Sequence, residues 1–191
     1  MRAALIWCGL ALVLAAPVIA AAQSPLLAWR DPIYISASFT GIAALCIVVV
    51  QPLLAHGILP DLTAQRSRTV HRWLGAGLVT LIVLHVGALW ITSPPDVVDA
   101  LALRSPTAFS IWGVLAMWAA FAAAAVAALR KPLRLRMSLW RPVHLALTSC
   151  VAGGTIVHAL LIDGAMGQIT KLLICGVAGV VLVWSFGALR R

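Results

Sequence analysis

The chain has 191 residues, of which 63% are hydrophobic and only 10% are charged, and it carries a net charge of +9. Soluble globular domains carry about 25% charged residues, and the mean hydropathy of this chain is +1.05. The composition therefore excludes a soluble globular domain and indicates an integral membrane protein.

Six apolar runs follow one another along the chain, each about as long as the roughly 20-residue helix that crosses a bilayer. They cover residues 3–22, 33–55, 69–91, 107–129, 139–162 and 168–189. The runs are continuous rather than alternating, which favours helices over the strands of a barrel. We therefore expect an all-α polytopic membrane protein, a six-transmembrane-helix bundle that forms a single domain over residues 1–191.

The first run, within MRAALIWCGLALVLAAPVIAAAQS, allows two interpretations. Its early Arg, its apolar stretch and its small residues at 20–22 also match a secretory signal peptide. We expect the run to be retained as the first transmembrane helix. N-terminal sequencing of the purified protein distinguishes the two interpretations.

Basic residues are distributed unequally between the two sides of the predicted bundle. With a cytoplasmic N-terminus, the cytoplasmic side holds 11 of the 14 basic residues: Arg2, Arg66, Arg68, Arg72, Arg130, Lys131, Arg134, Arg136, Arg141, Arg190 and Arg191. The outer side holds Arg30, Arg104 and Lys171. This positive-inside bias predicts that both termini are cytoplasmic, and we expect a bacterial inner membrane. We therefore expect the positive charge to set the topology and to contact lipid headgroups, and we expect no nucleic acid as partner.

Four of the five histidines fall within predicted spans, where polar groups usually face a bundle interior and mark function. Thirteen residues separate His71 from His85 in the third span, and thirteen separate His144 from His158 in the fifth. Fourteen steps of about 100° place both histidines of a helix on one face, about 21 Å apart along its axis. The fifth histidine, His56, follows the second span and is expected in a solvated loop.

The third and fifth spans run in the same direction, so their histidines match in depth. His71 and His144 fall near the cytoplasmic face, and His85 and His158 fall nearer the outer face. Two facing imidazoles at each depth can hold a haem iron between neutral nitrogen ligands. We therefore interpret all four as axial ligands of two non-covalent haems b, since no C-x-x-C-H motif for covalent attachment occurs.

Two other interpretations of these histidines stay open. Intramembrane histidines also donate interhelical hydrogen bonds, and a path for a divalent metal would use them too, although no carboxylate falls in mid-span to support it. Small residues between the two histidine levels would either make space for a macrocycle or serve ordinary helix packing. They are Gly75, Gly77, Gly153 and Gly154.

Three arginines lie within a turn of the inner histidines: Arg68, Arg72 and Arg141. Because Arg grips carboxylates through a bidentate fork, these residues could bind the propionates of the inner haem, or they could simply follow the positive-inside bias. For the outer haem, Arg104 and Lys171 are both candidates, and nothing in the sequence selects between them.

Two segments, RTVHRWLGAGLVTLIVLHVGALW and LWRPVHLALTSCVAGGTIVHALLI, carry a resemblance to a known family. With them the chain resembles the ferric reductase-like transmembrane domain family. This six-helix haem b module is shared by ferric reductases, NADPH oxidases and the membrane subunit of the periplasmic methionine sulfoxide reductase system. The resemblance implies bis-histidine ligation by His71 with His144 and by His85 with His158, and outward electron flow from a cytoplasmic donor.

The chain departs from the larger members of that family, which continue into a cytoplasmic flavin and nicotinamide domain. No G-x-G-x-x-G segment follows a strand, so FAD or FMN is expected only on a separate partner. A cytoplasmic flavin reductase or a membrane quinol would donate electrons, and a periplasmic acceptor protein or a ferric chelate would receive them. The basic segment RKPLRLRMSLWR could dock the donor or serve topology alone.

The sequence as a whole predicts a transmembrane electron-transfer haem b protein, acting as an oxidoreductase or as its haem-binding membrane subunit. No general acid, base or nucleophile is visible. The outer loop TSPPDVVDALALRSPTAFS predicts a short interfacial helix over 96–103. One alternative is a cytochrome b561-like or respiratory quinone-linked haem b subunit, and another is a metal or small-molecule transporter or assembly protein that uses the intramembrane histidines.

Overall fold

The computed structural model describes residues 1–189, with side chains through Gly187. Within these residues the chain forms seven α-helices, one short 3-10 turn and no strand. The helices are α1 (Arg2–Ala22), α2 (Pro32–Ala55), α3 (Ala64–Thr92), α4 (Pro94–Leu101), α5 (Ala108–Leu129), α6 (Met137–Leu161) and α7 (Gln168–Leu189). Arg190 and Arg191, which the sequence assigns to the cytoplasmic side, lie outside the described residues.

Six of the helices are long and apolar enough to cross a membrane, all except the eight-residue α4. This confirms the predicted all-α bundle with six spans. The short helix predicted over 96–103 is also confirmed as α4, which begins and ends two residues earlier than expected. Its predicted start moves to Pro94 because prolines occupy the first helical turn, where a missing N–H costs nothing.

Side-chain caps set where α2 and α3 begin. The carboxylate of Asp31 accepts a 2.7 Å hydrogen bond from the backbone N–H of Ile33. The hydroxyl of Thr63 accepts a 3.3 Å bond from the N–H of Arg66. Because this cap lies upstream of the apolar run, α3 begins five residues before it, and His71 lies two turns inside the helix.

The two histidine-bearing helices each pack chiefly on the helix that precedes them, α3 on α2 and α6 on α5. The bundle is thus built from two antiparallel hairpins, α2–α3 and α5–α6. Helix α7 packs on α6 and α2, and α1 lies against α7 and α2.

An apolar layer joins the two hairpins at mid-depth. Leu78 of α3 and Val151 of α6 are buried there together with small residues of α2 and α5. Leu78 is seven residues from both His71 and His85, and Val151 is seven residues from both His144 and His158. Seven residues make about two turns, so the layer lies on the histidine-bearing faces, midway between the two levels.

Candidate functional site

The structure brings His71 and His144 together across the bundle. Their ring centroids are 6.5 Å apart and the ring planes are inclined by 68°. The rings do not touch, but they approach closely enough to share one ligand between them. Both residues are half-buried. This pair is named the inner level below.

His85 and His158 form the outer level, fourteen residues further along the same two helices. Both side chains are half-buried, and each lies seven residues beyond Leu78 or Val151, which belong to one buried cluster between α3 and α6. The ring of Phe109 also meets His158 edge to face at a centroid distance of 5.8 Å. The four histidines thus form two pairs, each with one member from α3 and one from α6.

Three of the four imidazoles are tethered to the backbone of the neighbouring helix. Nδ1 of His71 lies 3.2 Å from the carbonyl oxygen of Gln51. Nδ1 of His85 lies 2.7 Å from that of Ala37, and Nδ1 of His158 lies 2.9 Å from that of Phe109. A carbonyl oxygen can only accept, so Nδ1 carries the proton in each ring. Nε2 of a neutral ring then keeps a free lone pair, which is the state required of a metal ligand.

The acceptor positions follow a similar spacing in the two hairpins. The acceptors on α2, Ala37 and Gln51, are fourteen residues apart, as are the histidines they hold on α3. On α5, the residue fourteen positions beyond Phe109 is Ala123, the last buried residue of that helix, which lies near His144. The spacing of the acceptor positions therefore repeats in the second hairpin, but His144 does not form the hydrogen bond. The sequence could not reveal these tethers, because the acceptor is a backbone carbonyl and every residue has one.

Two glycines allow the outer imidazoles to lie against the neighbouring backbone. A Cβ on Gly41 would lie 3.1 Å from both Nδ1 and Cε1 of His85. A Cβ on Gly113 would lie only 2.6 Å from Nδ1 of His158, closer than any side chain tolerates. Each glycine lies four residues, about one turn, after the residue whose carbonyl accepts the hydrogen bond. The imidazole therefore lies along one turn of the neighbouring helix.

The glycines that the sequence offered as space for a macrocycle have other neighbours. A Cβ on Gly75 would meet the side-chain amide of Gln51 at 3.2 Å, and one on Gly154 would meet the Trp112 carbonyl oxygen at 3.0 Å. These two glycines therefore serve packing within the hairpins, which was the competing explanation. Nothing lies within 4 Å of the corresponding position at Gly153.

His144 is held differently from the other three histidines. Its Nδ1 atom is buried and has no hydrogen-bond partner. Instead, the indole of Trp140 stacks on its ring, with centroids 5.1 Å apart and planes inclined by 13°. The guanidinium of Arg130 lies 4.8 Å above the Trp140 ring. A side-chain stack therefore replaces the backbone tether at this one position.

The space between α3 and α6 suits a flat macrocycle with iron at its centre. These two helices make little close backbone approach, although they face each other across the bundle. His71 and His144 would hold such a group from the two helices, each through a neutral imidazole nitrogen, across the 6.5 Å that separates their ring centroids. Neutral imidazoles in an apolar shell are the donor set that haem iron accepts, so the residues present fit the group.

The three arginines near the inner histidines make few contacts with other protein groups. Arg68, Arg72 and Arg141 are all exposed, and Arg72 makes only a long 3.4 Å contact with the hydroxyl of Thr69. No carboxylate within the described residues pairs with these three side chains. They are therefore available to an anionic group near the inner level.

The two outer candidates for an anionic group are already engaged. Lys171 is only 5% exposed, and its ammonium donates to the carbonyls of Leu160 and Ile162, at 3.3 and 2.8 Å. It thereby caps the C-terminus of α6, close to His158. Arg104 lies 3.9 Å from the carboxylate of Asp99, and both side chains are well exposed.

His56 is not in a solvated loop, contrary to expectation. It is the C-terminal cap residue of α2 and is half-buried. Its ring packs edge to face on Trp184 of α7, with centroids 5.0 Å apart. Long-range packing against a helix more than 100 residues away could not be read from the local loop composition.

No cluster of three or more His, Cys, Asp or Glu side chains that could hold a bare metal ion occurs among residues 1–187. The four histidines instead form two separate pairs, and a pair supplies two ligands. This geometry favours a metal whose other ligands come with it, as in a macrocycle, over a metal held by protein ligands alone.

Residues 40–155 match the family model described as ferric reductase like transmembrane component. The match includes His71, His85 and His144 and ends three residues before His158. No curated protein and no solved structure shows a match to this chain. The family match covers more than half of the chain. The protein therefore belongs to the ferric reductase like transmembrane component family, and it is a membrane electron-transfer module of the oxidoreductase type.

Proposed function

We propose that this protein carries single electrons across a bacterial inner membrane through two haems b, one at each histidine level. Electrons enter on the cytoplasmic side from a flavin reductase or a membrane quinol, and they leave to a periplasmic acceptor protein or a ferric chelate. The orientation rests on the positive-inside distribution of Arg and Lys. Members of this family generally bind haem, and the number of haems is part of the proposal.

The observation that carries this proposal is the set of Nδ1 tethers. Three imidazoles have their protonated nitrogen fixed by a backbone carbonyl and present Nε2 as a free acceptor. These bonds also join neighbouring helices, and what supports a ligand role beyond that is that His71 faces His144 across the bundle, 6.5 Å away between ring centroids. The tethers fix both the tautomer and the ring orientation before any ligand binds, as the outer partners of metal-binding histidines do.

Each haem bound between a histidine pair supplies reversible one-electron chemistry. The protein contributes the rest. His71 and His144 hold the inner level and His85 and His158 the outer level, and the buried Leu78 and Val151 exclude water between them. Arg68, Arg72 and Arg141 offer positive charge to the carboxylates of the inner group. Helix α6 keeps its outer histidine in place through the Lys171 cap.

The proposal is tested by electron transfer into sealed vesicles. Purified, haem-loaded protein is reconstituted into vesicles that contain ferricyanide, and dithionite is added outside. We expect the enclosed ferricyanide to be reduced by the unmodified protein, and not by His85→Ala or His144→Ala. His56→Ala is the matched control, because His56 packs on Trp184 away from both levels, and it should retain the activity.

The alternatives give different results in this experiment. A metal or small-molecule transporter would be purified without the absorbance of haem and would not reduce the enclosed acceptor. A cytochrome b561-like or quinone-linked subunit would pass the vesicle test and would be distinguished by its donor. Reduction by quinol in the membrane, without a flavin reductase, would favour that alternative.

A further inference from the structure

The inner level contains a stack of three side chains that the haem-binding scheme does not require. Arg130, at the end of α5, lies over the Trp140 indole, and the His144 ring stacks on the same indole. Trp140 precedes His144 by four residues, so both side chains project from the same face of α6. The stack therefore connects the α5–α6 turn to a predicted iron ligand.

This stack occurs where the backbone tether is missing. His71, His85 and His158 each have a hydrogen-bonded carbonyl partner for Nδ1, whereas Nδ1 of His144 is near the Ala123 carbonyl without hydrogen-bond geometry. The orientation of this imidazole is therefore held less firmly by the backbone than that of the other three. The nearly parallel indole of Trp140 restricts rotation of the His144 ring, because a turn of the ring would collide with it.

The indole N–H does not take part in this arrangement. Nε1 of Trp140 is buried and has no hydrogen-bond partner, so the ring acts through its flat face alone. The guanidinium of Arg130 lies 4.8 Å from the indole centroid, where the electron-rich ring attracts it and it keeps the ring in place. Trp140 is thus held by Arg130 and in turn packs on His144.

We propose that Trp140, supported by Arg130, is a positioning residue that fixes the orientation of the His144 imidazole for ligation of the inner haem. The proposal rests on the proposed function, since it assumes that His144 is a ligand. It makes the two levels different in kind, because both outer ligands are oriented by the backbone and one inner ligand is oriented by an aromatic side chain.

The test compares Trp140→Ala with Trp140→Phe in purified, haem-loaded protein. Loss of an outer partner of a metal-binding histidine typically weakens the metal site by about 10-fold or more. We expect Trp140→Ala to weaken inner-haem retention by about that factor and to alter the low-spin electron paramagnetic resonance signal of the inner haem. Trp140→Phe should restore both properties, because it keeps the flat face and loses only an unpartnered N–H.

Two controls separate positioning from general damage. The outer haem of the same Trp140→Ala sample should keep its unmodified signal, which shows that the bundle has folded. Trp73→Ala removes another tryptophan of the inner side, one that is 75% exposed, and should leave both haems unchanged. Arg130→Met should change the inner signal in the same direction as Trp140→Ala and by less.

Two outcomes would overturn the proposal while leaving the two-haem scheme intact. One is an inner haem that is retained with an unmodified resonance signal in Trp140→Ala. The other is a Trp140→Phe protein that loses the inner haem as fully as Trp140→Ala does. If the unmodified protein itself binds no haem, the result contradicts the proposed function and not the role of Trp140 in particular.

Discussion

The outer and inner histidine levels use the same two helices but hold their imidazoles in different ways. At the outer level, His85 and His158 each bind a carbonyl and lie against a glycine of the neighbouring helix. At the inner level, His71 has a longer tether of 3.2 Å and His144 has none. The outer level is thus held by backbone carbonyls, and the inner level is held in part by side chains.

This difference predicts which substitutions should disturb each level. The outer rings depend on the absence of a side chain at two positions, so adding even one methyl group is damaging there. The inner pair depends on the presence of side chains around His144. The two levels should therefore fail under different substitutions, although their predicted ligands repeat at identical spacing.

The largest effect is expected from Gly113→Ala. The new Cβ would lie 2.6 Å from Nδ1 of His158, the atom that forms the hydrogen bond with the Phe109 carbonyl. The ring must move, so the outer haem should be lost while the inner haem is retained. Gly41→Ala should weaken the outer haem less, because its Cβ would lie 3.1 Å from His85. Haem content and the difference spectrum of each purified variant measure the effect.

Gly176→Ala provides the matched control for these substitutions, since nothing lies within 4 Å of its Cβ position and α7 carries none of the four histidines. It should leave both levels unchanged. Equal haem content in Gly113→Ala and Gly176→Ala would show that the close approach of glycine and imidazole does not define the outer level.

A smaller effect is expected from Lys171→Met. The substitution removes two hydrogen bonds from a charged donor to the C-terminal carbonyls of α6 and leaves those carbonyls unpaired. A hydrogen bond to a charged group contributes about 1.5–3 kcal/mol, so the thermal midpoint in detergent should fall. The outer haem should be released before the inner one on heating, because the cap lies beside His158.

Lys131→Met is the control, because Lys131 is exposed in the α5–α6 turn. Such surface substitutions usually change stability by less than about 0.5 kcal/mol. A Lys171→Met protein as stable as Lys131→Met would contradict the assignment of Lys171 to the α6 cap. It would leave that lysine available to an anionic group at the outer side.

The smallest effect is expected from Gln51→Leu. The side-chain oxygen of Gln51 is buried without a partner, whereas its backbone carbonyl accepts from His71. Replacing an unsatisfied amide by an apolar group of similar size is nearly neutral or stabilising. Inner-haem content and thermal midpoint should therefore match those of the unmodified protein. Loss of the inner haem would mean that the side chain of Gln51, rather than its carbonyl, supports His71.

The sequence predicted the helices and the relative depth of the histidines well. Apolar runs gave six spans, and the repeat of thirteen intervening residues on two helices predicted that His71 would face His144. Both predictions depend on helix geometry alone, which is the same in every protein. The ligand role of the four histidines stays a prediction.

The supporting residues could not be predicted in the same way. The acceptors of His71, His85 and His158 are main-chain carbonyls, which every residue possesses. Gly41 and Gly113 carry a signal only when the pairing of α2 with α3 and of α5 with α6 is known. The engagement of Lys171 with α6 and of His56 with Trp184 arises from tertiary packing between different helices, which local composition does not encode.

The central claim is that one chain holds two haems at two levels, and the most direct test is haem quantitation with a reduced-minus-oxidised spectrum on the purified protein and its single His→Ala variants. The account predicts two b-type haems per chain. Replacing His71 or His144 should remove one of them, and replacing His85 or His158 should remove the other. One haem or none in the unmodified protein would contradict the two-level account.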